Sequence, residues 1–126
     1  MYLLDTHAFL WFINDDIKLP EQTKDTIRKT ERLCISIGSF WEMAIKANIG
    51  KLKLPASISA LMFACEEMQI DILQIAPYHL ERLQRLPDYH GDPFDRLIIS
   101  QAIEEGLTIM SADSKFERYG VNVLWK

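Results

Sequence analysis

The chain has 126 residues, 48% of them apolar and 25% charged, and a formal charge of −4. This length suits a single domain over residues 1–126 with a core of its own, and the composition excludes a disordered or low-complexity chain. The two cysteines show no Cys-x-x-Cys spacing and no apolar run approaches the ~18 residues that cross a bilayer, which excludes a disulfide scaffold, a thiolate zinc cluster and a membrane span.

Cys34 and Cys65 sit in apolar segments and read as buried free thiols of a cytoplasmic protein. Tyr2-Leu3-Leu4 reads as a short buried strand ending at Asp5. A helix follows from about Thr6 to Ile13, apolar on nearly every side. Pro20 opens a more polar helix through Glu31, and Leu33 to Ser36 is a second strand. Ser39 precedes a helix that ends near Gly50, with Ser39 and Glu42 spaced as a capping box. Pro55 starts the next segment. Ile58, Leu61, Met62, Cys65 and Met68 recur at helical spacing, and Ile70 to Ile75 alternates like a strand. A short helix from about Tyr78 to Leu86 leads into the turn Pro87–Gly91. A strong helix starts at Pro93 and stops at Gly106. Leu107 to Met110 is a fourth strand, Ser114 to Tyr119 a helical turn broken by Gly120, and Val121 to Leu124 a fifth strand.

Short strands alternating with helices imply right-handed crossovers and a parallel sheet covered on both faces, an α/β fold. Ligands of such sheets bind outside the carboxyl ends of the strands. Asp5 closes the first strand, Glu42 lies one helical turn after the second, Asp95 lies in the first turn of the Pro93 helix, and Asp113 follows the fourth strand. Each also has a capping explanation, because acidic residues near helix starts satisfy free N–H groups. Asp92 separates the two readings: it already caps the Pro93 helix, so Asp95 is left over. Carboxylates gathered within a few ångströms repel one another unless a cation neutralises them, and all-oxygen ligands favour Mg²⁺ or Mn²⁺. Four such groups alone equal the formal charge of −4, so an acidic chain is no bar to nucleic-acid chemistry.

The blocks "LLDTHAFLW", "SIGSFWEMAIKANIGKLKL", "HGDPFDRLIISQAIEEGLTIMSAD" and "YGVNVLW" span the chain and resemble the motifs of PIN-domain proteins, specifically VapC-type toxins of toxin–antitoxin pairs. The resemblance implies a three-layer sandwich with a five-stranded parallel sheet. It further implies an Mg²⁺- or Mn²⁺-dependent endoribonuclease, inhibited by a cognate antitoxin protein and often a homodimer. The family's acidic residues fall by motif on Asp5, Glu42 and Asp95, with Asp113 as the fourth, in a block where Ser111 replaces the commoner threonine. The expected chemistry is metal-activated water attacking an RNA phosphodiester.

Several neighbours have two readings. Thr6 either faces a metal-bound water or starts its helix. Arg96 either contacts phosphate or, as favoured here, braces neighbouring carboxylates as a bidentate donor. Lys46, Lys51 and Lys53 either track an RNA backbone or, for Lys46, form an i,i+4 pair with Glu42. His7 packs on its helix, His90 either meets RNA or, as favoured, is an exposed turn residue, and His79 stands apart, so the histidines show no zinc spacing. Phe9, Trp11, Phe12, Met62, Phe63 and Met68 serve the core, or some line an antitoxin groove. The alternatives are a non-catalytic PIN-fold module for RNA or protein contact, and a haloacid-dehalogenase-like phosphatase. The latter needs a second aspartate where His7 stands.

Overall fold

A computed structural model describes residues 1–126. Its strands are β1 (Tyr2–Leu4), β2 (Leu33–Ser36), β3 (Ile70–Leu73), β4 (Thr108–Met110) and β5 (Val123–Leu124). Its helices are α1 (Thr6–Ile13), α2 (Glu21–Lys29), α3 (Ile37–Asn48), α4 (Ile58–Glu67), α5 (Pro77–Gln84) and α6 (Pro93–Glu105), with a 3₁₀ turn at Ser114–Tyr119. All strands are parallel, in the order β3-β2-β1-β4-β5. The chain therefore works outward from β1 in one direction, then crosses to the other side for β4 and β5. That reversal puts a crevice at the carboxyl end of β1.

The alternation of side chains along the strands builds two cores. Leu3 is in register with Cys34 and Ile109, and Leu4 with Ile35 and Met110. Leu4, Ile35 and Met110 face one layer, where Phe9, Phe40, Met43, Leu61 and Cys65 close over them. Leu3, Cys34 and Ile109 face the other, under Leu86, Ile98, Ile99, Ala102 and Phe116. Central strands buried on both faces are what a covered parallel sheet requires, and each large side chain so buried contributes on the order of 2 kcal/mol. The expected three-layer α/β sandwich is what forms. Both cysteines are free and buried, and burial pushes each thiol up to about 11. No helix is long and apolar enough to cross a membrane.

Most element boundaries differ from expectation by a residue or two, and one difference bears on the site. The helix after β2 begins at Ile37 rather than Ser39, because Ser36, the last residue of the strand, is already its cap and accepts from the Gly38 N–H at 3.0 Å. Ser39 is thereby carried inside the helix, buried with no hydrogen-bond partner. The Ser39–Glu42 capping box does not exist, which frees Glu42. Two contacts then press α3 onto α6: a Cβ on Gly38 would lie 2.6 Å from Leu97 Cδ2, and Trp41 meets Phe94 edge-on at 5.2 Å. They bring Glu42 and Asp95 to the same crevice.

Candidate active site

Asp5, Glu42, Asp95 and Asp113 line one pocket of about 280 Å³ with Thr6, His7, Trp11, Lys46 and Ala112. The pocket lies outside the carboxyl end of β1. Asp5 is both an N-cap and a pocket residue: its Oδ1 accepts from the Ala8 N–H at 2.8 Å. Asp113 likewise caps the 3₁₀ turn through the Lys115 N–H at 2.9 Å. Capping and site therefore coincide, because a helix start at the sheet edge needs an acceptor where the crevice opens. Asp92 accepts from the N–H groups of Phe94 and Asp95 and takes the whole cap of α6, leaving the Asp95 carboxylate unused by it.

Glu42 is 3% exposed and held at both oxygens. The Thr6 hydroxyl donates to Oε1 at 2.6 Å, and the Lys46 ammonium pairs with Oε2. Thr6 thus has a role outside both readings given above: it orients Glu42. The hydroxyl at Ser111 is also used, accepting from the Asp113 N–H at 3.0 Å. Lys46 is the pocket's one lysine or arginine. Burial draws its pKa down, but the hydrogen bond and charge of Glu42, with Asp92 and Asp95 behind it, hold it above its ordinary value.

The cluster gathers four carboxylates around one ammonium, Lys46, so negative charge is in excess. Burial, with a smaller push from Glu42, raises Asp5 to about 6 against the pull of Ser111, the Ala8 N–H and His7. Burial and then the charges of Asp92, Glu42, Asp5 and Asp113 raise Asp95 to about 8. Asp113 goes the other way: burial opposes its ionisation, but the Lys115 N–H and His90 outweigh it. Oxygen donors arrayed this way fit a hard divalent cation, since a bound cation offsets both the burial and the repulsion that raise Asp5 and Asp95.

Three expected site residues fall elsewhere. Arg96 braces no pocket carboxylate; its Nη1 donates to the carbonyls of Pro87 and His90 and its Nη2 to that of Leu86, with Asp88 Oδ1 at 3.7 Å. One residue along a helix is a rotation of about 100°, so Arg96 points away from the crevice that Asp95 faces. Lys51 is exposed beyond α3, its N–H bonded to the Lys46 carbonyl. Asp92 acts as a cap and as a neighbouring charge. His7 is exposed and packs on Trp11 at 5.6 Å, so Asp5 lacks the second carboxylate that the phosphatase alternative needs.

The residue missed by sequence reasoning is His90. It is 8% exposed, not free in solvent, and its Nε2 lies 2.7 Å from Asp113 Oδ2 and 3.1 Å from Asp95 Oδ2. Its position two residues before a helix cap was the available signal, since a ring nitrogen there can accept the N–H of the cap residue.

Comparisons with known proteins agree with this fold. The chain is 25% identical over 118 residues to Ribonuclease VapC22 of Mycobacterium tuberculosis, covering 93% of this chain and 90% of that one. Its fold matches a chain of VapBC2 from Rickettsia felis, bound to a fragment of promoter DNA, with a TM-score of 0.73 at 19% identity, over 99% of this chain and 98% of the other. A chain of DNA-bound VapBC from Salmonella typhimurium matches with a TM-score of 0.72 at 20% identity, over 98% and 96%. With the PIN-domain family model matching residues 2–122, nearly the whole chain and all four pocket carboxylates, this protein belongs to the PIN-domain family.

Proposed function

We propose that this chain is an Mg²⁺- or Mn²⁺-dependent endoribonuclease that hydrolyses RNA phosphodiester bonds, acting as the toxin of a toxin–antitoxin pair. The observation that carries the reading is the convergence of Asp5, Glu42, Asp95 and Asp113, from four separate elements, on one pocket. The name of the mycobacterial relative supports the ribonuclease activity, and the VapBC complexes among the structural neighbours support the antitoxin partner.

The four carboxylates would hold the cation. A divalent ion there supplies an activated water and stabilises charge on the scissile phosphate. The chain's own residues do the rest. Thr6 and Lys46 fix the two oxygens of Glu42, and Asp92 keeps the α6 N–H groups away from Asp95. Lys46, held protonated, offers a cation to the substrate backbone, and the exposed Lys51 one turn on extends that track. The two free thiols support a reducing, cytoplasmic setting. Phe9 belongs wholly to the core, whereas Phe63 (60% exposed) and Met68 (39%) keep apolar surface for an antitoxin or a second copy of the chain.

The test is incubation of the purified chain, freed of any partner, with structured and single-stranded RNA in Mg²⁺, Mn²⁺ or EDTA, beside Asp5→Asn and Asp95→Asn. Cleavage that needs the cation and falls in both variants is expected. Metal-independent cleavage, or variants as active as the parent, would sink the nuclease reading. Induction in a bacterial host should arrest growth, and Asp5→Asn should relieve the arrest; harmless parent protein counts against the toxin role.

A further inference from the structure

We propose that His90 is a positioning residue of this site, a neutral imidazole whose Nε2–H holds the Asp113 and Asp95 carboxylates in register for the cation without itself being a ligand. This rests on the metal-site reading above. The tautomer follows from one hydrogen bond: the Asp92 backbone N–H donates to His90 Nδ1 at 3.1 Å. A backbone N–H can only donate, so Nδ1 carries the lone pair and the proton sits on Nε2. That proton faces Asp113 Oδ2 at 2.7 Å, with Asp95 Oδ2 at 3.1 Å from the same nitrogen.

The ligand atoms of His90, Asp95 and Asp113 lie within 4.8 Å of one another, close enough for the histidine to look like a third ligand. Ligation through Nε2 would drive its proton onto Nδ1, against the Asp92 N–H. Two donors would then face each other in a site where His90 is 8% exposed. The donor role leaves every hydrogen bond in place; the ligand role breaks two, from the Asp92 N–H to Nδ1 and from Nε2 to Asp113.

The surroundings hold the ring as a positioning role demands. Tyr119 Oη accepts the N–H groups of Tyr89 and His90 at 2.9 and 2.7 Å, and Arg96 takes the His90 carbonyl at 3.2 Å. Both main-chain polar groups and both ring nitrogens of His90 are therefore engaged. Tyr119 ends the 3₁₀ turn that Asp113 begins, so one short segment supplies the carboxylate and the hydroxyl that anchors the histidine facing it. Arg96, next to Asp95, acts on the site through this turn. Asp95 Oδ2 lies 3.1 Å from the same nitrogen that bonds Asp113, so His90 is where α6 and the loop after β4 meet at the pocket.

The test uses the intact protein and two probes. In wild type, long-range ¹H–¹⁵N spectra of the histidine rings should show His90 protonated at Nε2 without metal and with saturating Mg²⁺; a switch to Nδ1–H on adding Mg²⁺ overturns the proposal. Mn²⁺ affinity, read from the free-ion EPR signal, should weaken about 10- to 100-fold in His90→Leu. It should return to within about 3-fold of wild type in His90→Gln, whose amide restores an N–H donor at the same reach, by the same scale for supporting shells. Unchanged affinity in His90→Leu, or no recovery in His90→Gln, refutes the donor role. Wild type that binds no Mn²⁺ overturns the metal reading itself, and this proposal with it.

Discussion

Two buried histidines stand at opposite ends of α6 and are built alike. His79 accepts the Ala76 N–H at Nδ1 (2.9 Å) and turns Nε2 to Glu105 at 2.8 Å; His90 accepts the Asp92 N–H at Nδ1 and turns Nε2 to Asp113 and Asp95. At the first end the donors suffice. Glu105 also receives the Tyr78 hydroxyl at 2.7 Å, and hydrogen bonds from Tyr78 and His79 hold it below the usual carboxylate range. At the second end the one N–H bonds Asp113 and lies 3.1 Å from Asp95 Oδ2, and burial with the charges of Asp92, Glu42 and Asp5 raises Asp95 to about 8. The same device completes a structural staple in one place and leaves a deficit of positive charge in the other. The proposed cation would relieve that deficit.

The sharpest way to break this comparison is to neutralise the deficit. Asp95→Asn should lower RNA cleavage by on the order of 10³-fold, the few kcal/mol that positioned charge supplies. In the metal-free protein it should raise the urea midpoint, because a repelled carboxylate is gone. Loss of both activity and stability would make Asp95 a structural residue like Glu105.

The pH dependence of metal-free stability is next in size. Asp5 and Asp95, at about 6 and about 8, lie above the ~3.9 of an unfolded aspartate, so the folded state binds more protons between these values. Their contribution is full below about pH 4 and is lost as pH rises through about 8, a drop of several kcal/mol. Urea unfolding in EDTA at pH 5 and 8.5 should show it, and saturating Mg²⁺ should shrink it. A flat profile would mean that the two ends of α6 are equally satisfied.

His79→Ala should cost about 2 kcal/mol by thermal unfolding, from a buried ring and two hydrogen bonds, and leave Mn²⁺ affinity unchanged. A change in affinity would show that the two histidines are not separable. Smallest is Gly38→Ala, about 1 kcal/mol, because the terminal methyl of Leu97 must move and Ser36 Oγ, 3.2 Å from the new Cβ, must give slightly. A neutral outcome in urea titration would show that the α3–α6 contact does not set the spacing of Glu42 and Asp95.

The three-layer fold was legible because each strand and helix carries its own period, and the two faces of the central strands are written in adjacent residues such as Leu3 and Leu4. Asp95 was legible for a local reason, since Asp92-Pro93 had already used the cap. What misled was also local. Ser39-x-x-Glu42 has the spacing of a capping box, but Ser36, ending β2 without a loop, had already supplied the cap. His90 sits in a turn whose composition suggests exposure, and its partners Asp113 and Tyr119 lie 23 and 29 residues further along the chain. Arg96 was read from its adjacency to Asp95, whereas helical rotation sends it to the turn carbonyls. Contacts made across such distances leave no local pattern to read.

Asp5 illustrates how the site is fixed before anything binds. Its N–H donates to the Met110 carbonyl at 3.1 Å, its carbonyl accepts from the Phe9 N–H at 3.1 Å, and its Oδ1 accepts from Ala8. With β1 ending on one side and α1 starting on the other, no flexible residue separates this carboxylate from the sheet. The entropy of ordering the pocket floor is met during folding, so a ligand arriving there loses only its own freedom. Binding at this floor should therefore need no opening motion of the sheet, leaving encounter and desolvation as the steps a ligand must pass.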